Sequence, residues 1–237
     1  MPKTSTDVVD SSATPGASAT PGGASGATPA ITPAATPGAT PGATPGASAT
    51  PATKRSRSIA VLIGSFRKQA FTRSVAIAAM DALPEGYAPF IPHLDKLPLF
   101  NQDFDEEDTT PEEWKLFREQ IAAAEAVLVV TPEYNRSFPA VLKNAIDIAS
   151  RPPGHNLWTG KPAAVISVSP GRIGGALANQ HIRQPLTFLG LRIMPAPELY
   201  VSDVPTLLDG EGLLTDEDSL RHIRKFIDAF AAWIERN

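Results

Sequence analysis

Apolar runs alternate with amphipathic stretches from residue 58 to the end of the chain. Residues 59–63 (IAVLI), 126–131 (AVLVVT) and 162–169 (PAAVISVS) are largely apolar, without the alternation of a half-exposed strand. Such runs are typical of parallel strands that are covered on both faces. A shorter strand is predicted over 88–94, and a fifth strand begins within 192–194.

Between these runs, apolar residues recur at three- and four-residue spacing, which indicates amphipathic helices. The helices are predicted over 73–83, 111–124, 139–150 and 177–189, and a last one carries Leu220, Ile223, Ile227, Phe230 and Ile234. Strands that alternate with helices favour a parallel sheet with helices on both faces. Five strands and five helices in this order predict an α/β fold, a flavodoxin-like doubly wound five-stranded sheet.

The first 53 residues lack this pattern. They are rich in proline, alanine, threonine and glycine, and ATPGA repeats within 35–47. A segment with so few large apolar residues cannot bury enough surface to offset its ordering entropy. We therefore predict a disordered low-complexity tail over 1–57 and one domain over 58–237. No apolar core follows a basic start, so a signal peptide is not expected.

Composition and charge exclude several classes of function. The 237-residue chain has no cysteine, which excludes disulfides, thiolate nucleophiles and iron–sulfur ligation. The histidines are scattered, so no metal site is predicted. The net charge of −4 gives no basis for binding nucleic acid, and no apolar run of about 18 residues indicates a membrane segment. We expect a cytoplasmic protein, with the acidic run at 103–108 forming a solvated loop.

The loop after the first predicted strand carries the strongest chemical signal. It offers two hydroxyls and three cations, at Ser65, Thr72, Arg67, Lys68 and Arg73. The N–H groups and the dipole at the start of the next helix favour an anion there. Neither a P-loop nor a dinucleotide fingerprint is present, which leaves the FMN monophosphate of flavodoxin-like proteins as the candidate ligand. An ordinary loop with solvated cations is the alternative.

Two more loops follow buried strands, at 132–138 and 169–175. PEYN at 132–135 places an aromatic ring, a carboxylate and an amide in one rigid turn. SPG at 169–171 and the glycines at 174–175 leave little side-chain bulk, so a flat ring could approach the backbone. Since the carboxyl ends of parallel strands meet at one edge, the three loops together favour an isoalloxazine slot. Taken singly, a half-buried tyrosine and tight packing turns remain the simpler explanation.

Five segments of the domain resemble the NADPH-dependent FMN reductase family, and within it the bacterial quinone and chromate reductase branch. The segments are GSFRKQAFTRSVA (64–76), LPLFNQD (97–103), VTPEYNRSFPAVLKNAIDIASRP (130–152), GKPAAVISVSPGRIGGA (160–176) and HIRQPLTFLG (181–190). The resemblance implies a flavodoxin-like fold, bound FMN, NADPH or NADH as co-substrate, and a homodimer or homotetramer. By position it implies cofactor binding by Ser65, Arg67, Ala70, Phe71, Thr72, Pro132, Glu133, Tyr134, Asn135, Val168, Ser169 and Gly171.

The function that follows from this resemblance is FMN-dependent NAD(P)H oxidoreduction. Quinones would be reduced by two-electron, ping-pong hydride transfer through flavin N5, and chromate, nitro and azo compounds are further candidate acceptors. No side chain is expected to be catalytic, because the cofactor carries the chemistry. The alternatives are a flavodoxin-type electron carrier and a non-catalytic FMN-binding regulatory protein.

Overall fold

The structure, a computed structural model, describes residues 56–237. The predicted tail lies outside the described residues up to residue 55, so its disorder and the boundary at residue 57 stay predictions. The first strand, β1, occupies Arg57–Ile63.

A parallel sheet forms the centre of the domain. Its strands are β1 (Arg57–Ile63), β2 (Tyr87–Phe90), β3 (Ala126–Pro132), β4 (Pro162–Val168), β5 (Arg192–Ile193) and β6 (Leu199–Val201). The strand order is β2-β1-β3-β4-β5, and β6 also pairs with β4. Every pair is parallel, with Ile63 opposite Val130 and Val130 opposite Ile166. This order is that of flavodoxin-like sheets, so the predicted fold class is confirmed.

Helices cover both faces of the sheet and lie close to their predicted positions. They are α1 (Phe71–Asp81), α2 (Asp103–Glu106), α3 (Glu112–Ala123), α4 (Ala140–Ala149), α5 (Ala176–Phe188) and α6 (Glu217–Arg236). Only α2, a single turn, was not predicted. Two short 3-10 turns occur at Leu94–Lys96 and Val204–Thr206.

The strands supply alternate side chains to two hydrophobic clusters. Ile59, Val61 and Ile63 of β1 pack on one face, in a cluster with residues of α1 and α6. Ala60 and Leu62 pack on the other, with residues of α3, α4 and α5. Full burial of such an aliphatic side chain contributes about 1.5–3 kcal/mol. Burial on both faces explains why the central strands are apolar at successive positions.

The sheet has six strands rather than the predicted five. β5 pairs with Pro162 and Ala163 near the start of β4, and β6 pairs with the segment from Ile166 to the end of β4. The two therefore share one position in the sheet. Pro195 and Pro197 lie between them, and proline lacks the N–H that a continuous ladder needs.

Two local predictions were wrong. β2 ends at Phe90 rather than at residue 94, because the chain leaves the sheet before Pro92 and forms a 3-10 turn. The acidic run is not simply a solvated loop: it contains α2, and the Asp105 side chain is only 6% exposed in an ion pair with Arg118. The sequence run gives no sign of this partner, which α3 supplies from further along the chain.

No helix within residues 56–237 is both long and apolar enough to span a bilayer. The same residues hold no cluster of three or more histidine, aspartate or glutamate side chains placed to bind a metal ion.

Candidate functional site

Three loops converge at the carboxyl edge of the sheet. They follow β1, β3 and β4, which are neighbours in the strand order. Ligands of doubly wound sheets bind at this edge, where the strand order reverses between β1 and β3. The loops are those predicted at 65–73, 132–138 and 169–175.

Gly64 allows the first two loops to approach closely. A Cβ atom at this position would lie 2.7 Å from Pro132 Cδ and 2.9 Å from Leu142 Cδ1. Both distances are shorter than non-bonded carbons tolerate, so any side chain here would push the loops apart. Gly64, directly after β1, is therefore required by close packing and not by a left-handed backbone conformation.

A cavity of about 180 Å³ lies between these loops. It is lined by Ser65, Arg67, Ala70, Phe71, Thr72, Pro132, Glu133, Tyr134, Val168 and Pro170. All of these except Pro170 are among the predicted site residues. The volume is below the roughly 300–1,000 Å³ of a complete ligand pocket, so the cavity suits one part of a larger ligand.

The buried Thr72 hydroxyl is the polar group of this cavity that best fits a bound ligand. Thr72 is 1% exposed, and its Oγ1 has no hydrogen-bond partner among the described residues. Leaving a buried hydroxyl unpaired costs about 1–3 kcal/mol. Thr72 lies in the first turn of α1, whose N-terminus no side chain caps. Free N–H groups and an unpaired hydroxyl together fit a phosphate group.

Arg67 adds positive charge to the same cavity. Its guanidinium carbon lies 5.9 Å from the centre of the Phe71 ring, and no carboxylate within residues 56–237 pairs with it. An arginine held over an aromatic ring beside a cavity is placed to meet a planar or anionic ligand. The observed donors therefore match the phosphate of FMN.

Tyr134 lies across the mouth of the cavity. Its hydroxyl donates to Ser65 Oγ at 3.1 Å, which connects the second loop to the first. The ring is 45% exposed. Backbone hydrogen bonds between Tyr134 and Ser137 close a tight turn, with positive φ at Asn135 (51°) and Arg136 (68°). Asn135 is thus at the exposed tip of this turn and does not line the cavity.

Glu133 connects the second loop to the start of α5. Its Oε2 accepts hydrogen bonds from the backbone N–H groups of Leu177 (3.1 Å) and Ala178 (3.2 Å), at the start of α5. Its Oε1 lies 3.3 Å from Arg136 Nη1, and the side chain is 11% exposed. The carboxylate therefore satisfies N–H groups that α5 cannot pair internally. This long-range contact has no local signal in the sequence.

The third loop is shaped by its own turn. Ser169 Oγ accepts a hydrogen bond from the Gly171 N–H at 3.0 Å, and neither residue lines the cavity. Gly174 has a φ of 61°, and a Cβ atom there would lie 2.8 Å from Tyr200 Cβ. The glycines at 174–175 thus serve packing against the sheet. Pro170, which the sequence argument did not select, supplies the wall of the cavity from this loop.

Comparison with known proteins identifies the family. The sequence profile described as NADPH-dependent FMN reductase matches residues 57–206. The chain belongs to this family. It is similar to a quinone reductase of Pseudomonas putida, with 47% identity over 180 residues that cover 76% of this chain and 96% of the relative. A 2-hydroxy-1,4-benzoquinone reductase of Burkholderia sp. is 41% identical over 176 residues, covering 74% of this chain and 95% of the relative.

A solved structure supports the same assignment. FerB of Paracoccus denitrificans, a flavoenzyme NAD(P)H:(acceptor) oxidoreductase, has a TM-score of 0.71 and 38% identity, covering 76% of this chain and 98% of FerB. As a member of the FMN reductase family, this chain is an oxidoreductase that uses FMN and NAD(P)H. The predicted enzyme class and cofactors are confirmed.

Proposed function

We propose that this member of the FMN reductase family reduces quinones at the expense of NAD(P)H, with the FMN phosphate bound in the cavity at the start of α1. The observation that carries the phosphate assignment is the buried Thr72 hydroxyl, which has no partner within residues 56–237. Arg67, which pairs with no carboxylate in the same range, lines the same cavity. The quinone assignment rests on the relatives, which are named for quinone reduction.

In this proposal the three loops divide the binding of FMN between them. Ser65, Arg67 and Thr72, with the backbone around Ala70 and Phe71, hold the phosphate and the ribityl chain. The predicted contacts of the flavin ring are Pro132, Glu133, Tyr134, Asn135, Val168, Ser169 and Gly171. Val168 carries no polar side-chain atom, so it offers only backbone groups and an apolar surface.

The side chains of this site position groups rather than transfer protons. When bound, FMN would supply the hydride-transfer chemistry at its N5, and the residues of the three loops would hold and orient it. Glu133 is already engaged by two backbone N–H groups and Arg136, and the Tyr134 hydroxyl donates to Ser65. Both therefore fix the loops, and the gain from such positioning comes from correct approach of the reactants.

The exposed face beside Tyr134 is where we place both substrates in turn. The oxidised nucleotide would leave before the acceptor binds, which is a ping-pong order. Chromate, nitro compounds and azo compounds are further candidate acceptors at this open face. A homodimer or homotetramer and a cytoplasmic location stay predictions.

Steady-state kinetics of the FMN-loaded protein test the proposal. NADPH oxidation should be slow alone and fast with a soluble benzoquinone, and initial-rate plots at several quinone concentrations should be parallel. Intersecting lines would mean that both substrates bind together. An FMN-loaded protein that oxidises NADPH no faster with quinone would contradict the proposed acceptor class.

A further inference from the structure

A second cavity adjoins the proposed FMN site and is larger than it. It measures about 440 Å³, and it lies between the first loop and the segment after β2. Ser65 and Arg67 line both cavities. A ligand in the second cavity would therefore lie directly beside FMN bound in the first.

The second cavity is lined by several cationic side chains. Arg67, Lys68 and Arg73 line it, together with His93 and the single carboxylate of Asp95. That carboxylate lies 3.7 Å from His93 Nδ1 and 4.0 Å from Lys96 Nζ. Within residues 56–237, no carboxylate pairs with Lys68 or Arg73. Of its three cationic side chains, Lys68 and Arg73 do not line the proposed FMN cavity.

A neighbouring cavity of about 350 Å³ shows the contrast. Lys68 and Arg73 line it too, together with Asp209 and Glu211. Two cations share that cavity with two carboxylates, so an anion gains little there. The second cavity adds Arg67 and has one carboxylate, so its lining is the more positive of the two.

The floor of the second cavity is apolar. Ile63, Ile91, Pro92 and Leu94 line it together with Phe66, whose side chain is 52% exposed. An apolar floor with a cationic rim suits a ligand that combines a flat ring with a phosphate. Its volume falls within the roughly 300–1,000 Å³ of small-molecule pockets.

We infer that this second cavity binds the adenosine 2′-phosphate half of NADPH, with the adenine on the apolar floor and the 2′-phosphate between Lys68, Arg73 and His93. The inference rests on the proposed FMN site. Ser65 and Arg67 line both cavities, so the two nucleotides would lie side by side only if FMN binds in the first cavity. It gives the chain a basis for preferring NADPH to NADH, which lacks the 2′-phosphate.

Direct binding tests the inference without turnover. Calorimetric titration of the FMN-loaded protein with adenosine 2′,5′-bisphosphate should give at least about tenfold tighter binding than with adenosine 5′-monophosphate, as expected for a charge-assisted contact. The difference should shrink with added salt, because exposed charges are screened. Equal binding of the two nucleotides, or no binding of either, would overturn the inference.

Substitution of Lys68 locates the site. Lys68→Met keeps the apolar stem and removes the charge, so the ratio of kcat/KM for NADPH over NADH should fall by about tenfold. Lys225→Met is the matched control. It removes an exposed cation of α6 that is far from Lys68 in the sequence, and it should leave the ratio of kcat/KM for NADPH over NADH unchanged. A Lys68→Met protein that loses FMN instead would assign Lys68 to the flavin phosphate and contradict the inference.

The outcomes separate this inference from the proposed function. Binding of the bisphosphate by a protein that does not reduce quinones would overturn only the acceptor assignment. Quinone reduction with equal efficiency from NADH and NADPH would overturn only the assignment of the adenosine 2′-phosphate to the second cavity.

Discussion

Of the three arginines that lie over aromatic rings within residues 56–237, two have opposite surroundings, Arg67 and Arg118. Arg118 donates to both carboxylate oxygens of Asp105, at 2.7 and 2.6 Å, and its Nε donates to the Ile148 carbonyl at 3.0 Å. Its guanidinium lies 5.4 Å from the Trp114 ring. Arg67 lies over Phe71 and, within the described residues, pairs with no carboxylate. One charge is neutralised by the chain itself, and the other is left for a ligand.

Two threonines repeat the contrast. Thr110 Oγ1 donates to Asp105 Oδ1 at 3.0 Å. Asp105, Thr110 and Arg118 thus form a cluster that we call the closed cluster, because its polar groups bond to one another. Thr72 Oγ1, at the cavity, has no partner in the part of the chain that the structure describes. Buried polar groups are normally satisfied. Within residues 56–237, Thr72 is buried without a partner, and Arg67 is exposed and pairs with no carboxylate beside the same cavity. This pair is available to a ligand, whereas the satisfied pair indicates stability.

Removing Arg118 should have the largest effect. The pair is mostly buried, with side chains 14% and 6% exposed. Arg118→Ala would leave Asp105 without its cation, and we expect a loss of about 3 kcal/mol of unfolding free energy. Urea denaturation measures this. Arg221→Ala is the control, since its exposed pair with Asp218 should contribute less than about 1 kcal/mol. Equal losses in the two variants would refute the contrast.

Removing Arg67 should instead weaken the binding of FMN. A charge-assisted contact to phosphate contributes about 1.5–3 kcal/mol, so Arg67→Ala should bind FMN about 10- to 100-fold more weakly. Fluorescence titration of the apoprotein measures this. Riboflavin, which lacks the phosphate, should bind both proteins about equally. Unchanged FMN affinity would show that Arg67 does not contact the phosphate.

The contribution of the closed cluster to folding stability should also decrease in acid. The hydrogen bond from Arg118 lowers the pKa of Asp105 below its ordinary value of 3.8. A folded-state pKa below the unfolded value contributes stability above the unfolded pKa, and this is lost as the pH falls through the folded one. The stability gap between wild type and Asp105→Asn, measured by urea denaturation, should therefore narrow toward acid. If this stability difference widened toward acid, folding would raise the pKa of Asp105 instead of lowering it.

Replacing Thr72 should separate stability from binding. Thr72→Val keeps the shape and removes an unpaired buried hydroxyl, so the apoprotein should be unchanged or more stable by about 1 kcal/mol. FMN affinity should fall by about fivefold, from the loss of about 1 kcal/mol. Thr110→Val is the matched control, and it should lose about 1 kcal/mol of stability with no change in FMN affinity. Thermal unfolding of the apoproteins and flavin titration provide the two measurements.

The smallest effects should come from the two side chains that bridge the loops. Glu133→Gln and Tyr134→Phe should each keep kcat within about tenfold, well below the roughly 100- to 10,000-fold lost with a general acid or base. Stopped-flow rates of flavin reduction would show this directly. A thousandfold loss in either variant would assign proton transfer to a residue that we describe as positioning.

The periodic pattern predicted most of the fold. The central strands and long helices were located because burial on one or both faces leaves a local signature in the sequence. Two predictions failed at prolines, which the hydrophobic pattern does not take into account: β2 stops before Pro92, and the fifth strand is split around Pro195 and Pro197. A third failed because a partner from further along the chain decides it: Asp105 is buried by Arg118.

By itself, the sequence determined the order of the elements, the edge of the sheet at which the loops meet, and most of the residues around the cavity. Strand order and loop chemistry follow from local patterns and from the geometry of parallel sheets. The tertiary structure alone decided which polar groups have partners. Glu133 could cap α5, and Arg118 could pair with Asp105, only after the chain had brought together residues that are far apart in sequence. For the same reason, only the folded chain shows that Thr72 has no hydrogen-bond partner, and Arg67 no carboxylate partner, within residues 56–237.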